Sequence, residues 1–249
     1  MTQRTAFLDA AFDTPPMGEV EQWLVSRTAD SDFGYIVTPN VDHLIRLATA
    51  DDEVRLAYRD ADLCVCDSRI LQRLGRVFGV RLSLVPGSDL VAALFGRLLQ
   101  DGDRICLIGG SADHLQLLQQ RYPRLVIQQY VPPMGLREDA PARRAVLDVA
   151  ANAAARATLL AVGSPQQEIL AHEMARSGRV RGTALCIGAA VDFLVGAQQR
   201  APVMVQRAGF EWAWRLARQP RRLARRYLID GPRIFPMALR WWWSARKGE

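Results

Sequence analysis

Short apolar runs alternate with longer helical patterns from residue 34 to residue 187, and this alternation narrows the possible folds more than any other feature. The runs are Gly34–Val37, Asp62–Cys66, Arg81–Val85, Arg104–Ile108, Leu125–Tyr130, Thr158–Val162 and Thr183–Ile187. Helical stretches lie between most of them: Val41–Ala50, Ser68–Phe78, Ser88–Leu99, Ala112–Arg121, Ala142–Ala155 and Gln166–Ser177, with an earlier helix over Gly18–Arg27. Such a pattern predicts an α/β fold, a mostly parallel sheet sandwiched by helices in the Rossmann-like manner. The Pro-rich segment 131–141, VPPMGLREDAP, reads as a loop long enough to be a mobile active-site element.

A parallel sheet binds its ligands beyond the carboxyl ends of its strands. The residues just past each run therefore form the candidate site: Thr38, Pro39 and Asn40; Asp67 and Ser68; Gly109, Gly110 and Ser111; Gly163, Ser164 and Pro165; Gly188, with Asp192 one turn on. Gly109–Gly110 and Gly163–Ser164–Pro165 join a strand to a helix. Glycine there lets backbone approach a phosphate, and helix N-terminal amides favour an anion. The competing explanation is a tight turn with close strand–helix packing, and neither stretch is a P-loop or a full dinucleotide fingerprint. Asp67 is placed to take a proton from an attacking hydroxyl, or simply to cap the next helix. Asn40 and Thr38 carry the same ambiguity. His43, His114 and His172 lack metal-like spacing, and no Asp-x-Asp pair stands where a metal-dependent sugar transferase needs one. Cys64, Cys66, Cys106 and Cys186 sit in apolar, strand-like segments and read as buried thiols.

Charge divides the chain near residue 200. Residues 1–200 sum to −2, whereas 201–249 hold ten Arg and one Lys against three acids, +8. Five of the six tryptophans lie in that tail: Trp212, Trp214, Trp241, Trp242 and Trp243. Trp212 and Leu216 are one helical turn apart, as are Leu223 and Tyr227, and Arg222, Arg225 and Arg226 are spaced to share a helix face. Tryptophan at headgroup depth among arginines is the composition of a segment lying on an anionic membrane surface. The rival explanations are a nucleic-acid-binding patch and a solvated basic face, which leaves the tryptophans without a role. No apolar run approaches the ~20 residues that span a bilayer. The opening MTQRTAFLDA has no long apolar stretch, so the expectation is a protein of the cytoplasm, peripheral on the inner face of the membrane.

Taken in order, VTPNVDHL (37–44), the strand-end Asp67, LVPGSDL (84–90), LIGGS (107–111), VGSPQQE (162–168), VDFLVG with its RAP (191–202) and GFEWAWRL…QPRRLARRY (209–227) resemble the WecG/TagA/CpsF family of bacterial glycosyltransferases. The resemblance implies a GT-E type α/β catalytic domain over residues 1–200 and a helical, membrane-targeting appendage over 201–249. It implies an inverting transferase that needs neither metal nor cofactor. The donor is a UDP-sugar, and the acceptor a saccharide on undecaprenyl diphosphate in cell-surface polysaccharide synthesis. By motif match Asp67 is the catalytic base, with Thr38 and Asn40 beside it. Gln167 matches the glutamine of the Pro-x-Gln-Glu block, and it is expected to line the nucleotide-sugar pocket with Glu168 beside it and with Gly109, Gly110, Gly163, Ser164, Pro165 and Asp192 from the strand ends; Arg215, Arg222 and Arg225 match arginines that hold the acceptor diphosphate. Self-association is compatible with the family, and nucleic acid is not a partner. Ser68 replaces a frequent Gly and Gln166 a frequent Lys, which motivates the alternative of a non-catalytic nucleotide- or lipid-binding module of the same fold.

Overall fold

The structure, a computed structural model, describes residues 4–247; residues 1–3 and 248–249, the ends of the two anticipated regions, lie outside it. Strands β1 (Thr5–Phe7) and β2 (Ala10–Phe12) pair as an antiparallel hairpin. Strands β3 (Gly34–Val37), β4 (Leu63–Cys64), β5 (Arg104–Gly109), β6 (Val126–Tyr130), β7 (Ala157–Ala161) and β8 (Thr183–Cys186) form one six-stranded sheet in the order β4-β3-β8-β7-β5-β6. Every pairing in it is parallel, so all the carboxyl ends lie along one edge.

β3 and β8 are buried along their whole length, as strands covered on both faces must be. Alternation sorts their side chains. Tyr35, Val37, Ala184 and Cys186 enter the core on one face, and Ile36 and Leu185 the core on the other. Helices α2 (Val41–Leu47), α3 (Asp52–Arg59), α4 (Arg69–Val77), α7 (Ala140–Ala153) and α8 (Gln166–Ser177) close the first face through Leu44, Tyr58, Leu71, Val146 and Leu170. Helices α1 (Met17–Val25), α5 (Gly87–Ala93) with its π-helical turn Leu94–Leu98, α6 (Asp113–Arg121) and α9 (Ala190–Leu194) close the second through Leu24, Leu90, Leu118 and Val191. All four cysteines are buried free thiols, and burial pushes the Cys66 thiol up to about 12.

One expectation needs correction. Arg81–Val85 is not a strand: it touches the sheet through one bridge, Leu84 to Cys66, and Pro86 then leads into α5. Leu82 and Val85 are buried all the same, so burial without a ladder accounts for the apolar pattern. Within the 131–141 segment Leu136 is buried, Arg137 forms an ion pair with Asp51, and Ala140 and Pro141 already belong to α7.

The tail continues as α10 (Val203–Ala208), α11 (Glu211–Arg218), α12 (Pro220–Ala224), a π-helical turn (Arg225–Asp230) and α13 (Ile234–Lys247). None of the helices among the described residues is long and apolar enough to cross a membrane. α13 folds back onto the first core, burying Ile234 and Ala238. Trp241 meets Phe7 edge-on at 5.2 Å between ring centroids, and Trp242 lies 6.0 Å from Phe78. Successive helical residues point ~100° apart, so only Trp243 of the three faces outward, 60% exposed. Trp241 and Trp242 are therefore engaged by the fold through Phe7 and Phe78. Trp241→Ala is expected to destabilise the fold by about 2–4 kcal/mol and Trp243→Ala by less than about 0.5 kcal/mol, read from urea unfolding midpoints.

Candidate active site

Asp67 lies just past the bridge that extends β4, its own N–H bonded to the Pro39 carbonyl at 3.1 Å. The neighbouring residue decides what its carboxylate does. Ser68 caps α4 by accepting from the Leu71 N–H at 3.3 Å, so the helix does not need Asp67. Instead, Asp67 Oδ1 accepts the Gly87 N–H at the start of α5, 2.9 Å away. A side chain at 87 would bring a Cβ within 3.1 Å of Thr38 Oγ1, which explains a glycine at this crossing. Thr38 is buried and donates its hydroxyl to the Cys186 carbonyl at 3.1 Å, tying the end of β3 to the end of β8. Asn40 does cap its helix, accepting from the Asp42 N–H at 3.1 Å, and its side chain also favours the charged form of Asp67.

Burial pushes Asp67 up to about 7, opposed by the Gly87 N–H, assisted by the Glu211 carboxylate, and opposed again by Asn40 and Arg215. Both tail residues belong to α11, which is therefore near enough to Asp67 for its charges to act on the carboxyl. The Arg215 guanidinium sits 5.5 Å from the Phe193 ring centroid on α9, and its Nε and the Trp214 Nε1 are buried with no hydrogen-bond partner among the described residues.

The Gly163–Ser164–Pro165 turn stands next to this group. A Cβ on Gly163 would meet nothing within 4 Å, but its φ of +82° suits glycine. The Ser164 carbonyl accepts from Arg46 at 2.8 Å. Gln167 and Glu168 lie beneath the turn, 1% and 0% exposed. Gln167 donates to Glu168 at 2.8 Å and accepts the Gly188 N–H at 2.9 Å. Burial raises the Glu168 carboxyl, opposed by the hydrogen bond from Gln167, while its Oε2 has no hydrogen-bond partner among the described residues.

Gly109, Gly110 and Asp192 form a second neighbourhood, joined to the first because α9 packs on α5. A Cβ on Gly109 would lie 2.8 Å from the Ala161 backbone, so close strand packing accounts for this glycine. The Ser111 N–H donates to His114 Nδ1 at 3.3 Å, which leaves the proton on Nε2, 3.2 Å from Asp192 Oδ1. Arg222 and Arg225 are exposed on the tail, and Arg222 lines a surface cavity of about 410 Å³ with Gln219, Pro220 and Arg221. Arg226 leaves the face it was expected to share with them and turns inward to Asp42, 3.4 Å away. Burial, then Arg226 and Arg46, hold His43 down at about 3, so it stays neutral. Among the described residues no three His, Cys, Asp or Glu side chains gather as a metal-ligand group.

A family model described as the WecG/TagA/CpsF glycosyl transferase family matches residues 5–248. The chain belongs to that family. Membership makes it a glycosyltransferase that works, in general terms, with a sugar donor and a lipid-linked acceptor in polysaccharide biosynthesis. In this transferase the residues that sequence motifs did not assign are Gly87 and Glu211. Gly87 stood within LVPGSDL and Glu211 within GFEWAWRL, but only the folded chain brings them to Asp67.

The raised Asp67 has a measurable consequence for stability. Its folded-state value of about 7 exceeds the ordinary 3.8, so the folded chain holds this proton more tightly than the unfolded chain. That contribution is present below pH ~4 and is lost as pH rises to ~7. Asp67→Asn keeps an acceptor for the Gly87 N–H and cannot ionise. It is expected to match the wild type at pH 4 and to exceed it by roughly 1–2 kcal/mol at pH 8, after allowance for solvent screening, as read from denaturant midpoints at the two pH values.

Proposed function

We propose that this transferase moves a sugar from a UDP-sugar to a saccharide on undecaprenyl diphosphate, with inversion, and that Asp67 is the base. What carries the reading is the carboxylate at the carboxyl edge of the sheet, relieved of capping duty by Ser68 and held by one backbone amide under an arginine-bearing helix. Asp67 takes the proton of the acceptor hydroxyl. The freed oxygen pair attacks the anomeric carbon opposite the diphosphate as the bond from that carbon to UDP breaks, and UDP leaves with the electron pair. Thr38 and Asn40 orient the base. The Gly163–Ser164 and Gly109–Gly110 turns approach the donor, and Arg215, Arg222 and Arg225 hold the acceptor diphosphate. Guanidinium forks suit phosphate oxygens, and fixed donors stabilise charge as it develops on the leaving group. No metal or cofactor is invoked.

Residues 201–249 serve in this proposal as an appendage that rests on the inner membrane surface. Phe235, Leu239 and Trp243 recur every four residues on α13 and are 55%, 45% and 60% exposed, beside the exposed Leu228 and Ile229. Arg233 and Arg240 are exposed on the same segment. Apolar residues at one spacing with cations alongside fit an interfacial helix on anionic lipid.

Two measurements test these statements. With a UDP-sugar panel and a polyprenyl-diphosphate saccharide, Asp67→Asn is expected to lower kcat by about 10²–10⁴-fold. Wild-type kcat/KM should rise tenfold per pH unit to a plateau above about 7; near-normal turnover by the Asn variant removes Asp67 as base, and donor binding without turnover favours the non-catalytic module. Separately, the L239S/W243S double variant is expected to lose at least tenfold in partitioning to vesicles containing phosphatidylglycerol, since each exposed side chain contributes about 1.5–3 kcal/mol on burial. Undiminished partitioning would count against α13 as the lipid-facing element.

A further inference from the structure

The tail reaches Asp67 only if α11 is held in place, and the polypeptide just before α11 has an unusual attachment. Arg73, on the helix that starts two residues after Asp67, donates through Nη1 to the Ala208 carbonyl at 2.9 Å and through Nη2 to the Arg207 carbonyl at 3.2 Å. These carbonyls are at the C-terminal end of α10, where the chain has run out of helical N–H partners and the negative end of the helix dipole favours a cation. Gly209 follows with φ +80° and ends the helix. Its missing side chain makes room for the clamp: a Cβ there would lie 2.8 Å from Arg73 Nη1. Two residues later α11 begins with Glu211, and one turn on comes Arg215 against Phe193. At the far end of α11, Arg218 donates to Gln199 Oε1 at 2.9 Å.

We infer that Arg73 is a positioning residue: its two-carbonyl clamp on the α10–α11 turn sets α11, and with it Glu211 and Arg215, over Asp67. Arg73 itself touches no reacting group. The inference rests on the reading of Arg215 as an acceptor contact. The clamp links the acceptor-holding helix to the helix that Ser68 starts beside the base, so the two halves of the site keep one register. Arginine is the residue type this requires, because a planar fork reaches two carbonyls at once, whereas lysine offers a point charge.

The test uses the full chain with three substitutions, Arg73→Ala, Arg73→Lys and Gly209→Ala, the last blocking the clamp from the other side. Amide exchange over residues 203–218 is expected to quicken by about tenfold or more in Arg73→Ala, with exchange over the sheet unchanged. KM for the lipid-linked acceptor should rise about tenfold, as loss of two hydrogen bonds to a charged group allows, while UDP-sugar affinity stays within about twofold. Because release of α11 readmits water to Asp67, the limb of the pH profile should move below the wild-type value. Arg73→Lys should recover part of each change. Exchange at the wild-type rate in both Arg73→Ala and Gly209→Ala overturns the clamp. Faster exchange with unchanged acceptor KM and pH limb reduces Arg73 to a structural tether and overturns the positioning role. If Asp67→Asn stays active, the assignment of the base fails, and the exchange measurement still decides the clamp.

Discussion

One hydrogen bond, from the Gly87 N–H to the Asp67 carboxylate, ties the end of β4 to the start of α5 and anchors the site proposed for the reaction. A carboxylate half-buried at a strand end is costly unless a donor meets it, and the protein supplies a backbone donor that side-chain motion cannot withdraw. That choice constrains its neighbours. Position 87 favours glycine, because a Cβ there would lie 3.1 Å from Thr38 Oγ1 and would have to push it aside. Thr38 in turn is locked to Cys186, and Gly188 beyond it to Gln167. The ends of β3, β8 and the β7–α8 turn are thereby joined through polar contacts, each satisfied by a named partner.

The tail solves a different problem, which is to be attached and still present an outward face. α13 does this by phase: Ile234, Ala238 and Trp241 turn inward, while Phe235, Leu239 and Trp243 turn out. The positive charge divides in the same way. Arg226 is paired with Asp42, and Arg246 stacks on Trp242 at 3.9 Å. Arg221, Arg233 and Arg240 have no ion pair or hydrogen bond among the described residues, and all three are exposed. The net charge of the segment thus overstates the free charge, and the remainder lies where an anionic surface can reach it.

The strand–helix alternation was legible because a buried parallel sheet leaves unbroken apolar runs, and Gly34–Val37 and Thr183–Cys186 are such runs. The β1–β2 hairpin was not, because each strand has three residues and the turn passes through Leu8 at φ 56°, a residue that carries no turn signature. Arg81–Val85 misled for the opposite reason: its burial looks like a strand in sequence. At the site, Asp67 could be placed by its position after a strand, but whether it capped α4 could not, since Ser68 offered the same chemistry one residue later. Gly87 and Glu211 act by an N–H and by proximity, and neither leaves a pattern at the level of residue type.

The two charges that α11 brings to Asp67 act in opposite directions: Glu211 raises the carboxyl and Arg215 lowers it. Dehydration is the largest influence and sets the outcome. Of the two charges Glu211 has the larger effect, so α11 on balance favours the protonated carboxyl. In the proposed reaction a carboxyl raised to about 7 is a stronger base than an ordinary aspartate, and the helix proposed to hold the acceptor adds to that rise through Glu211.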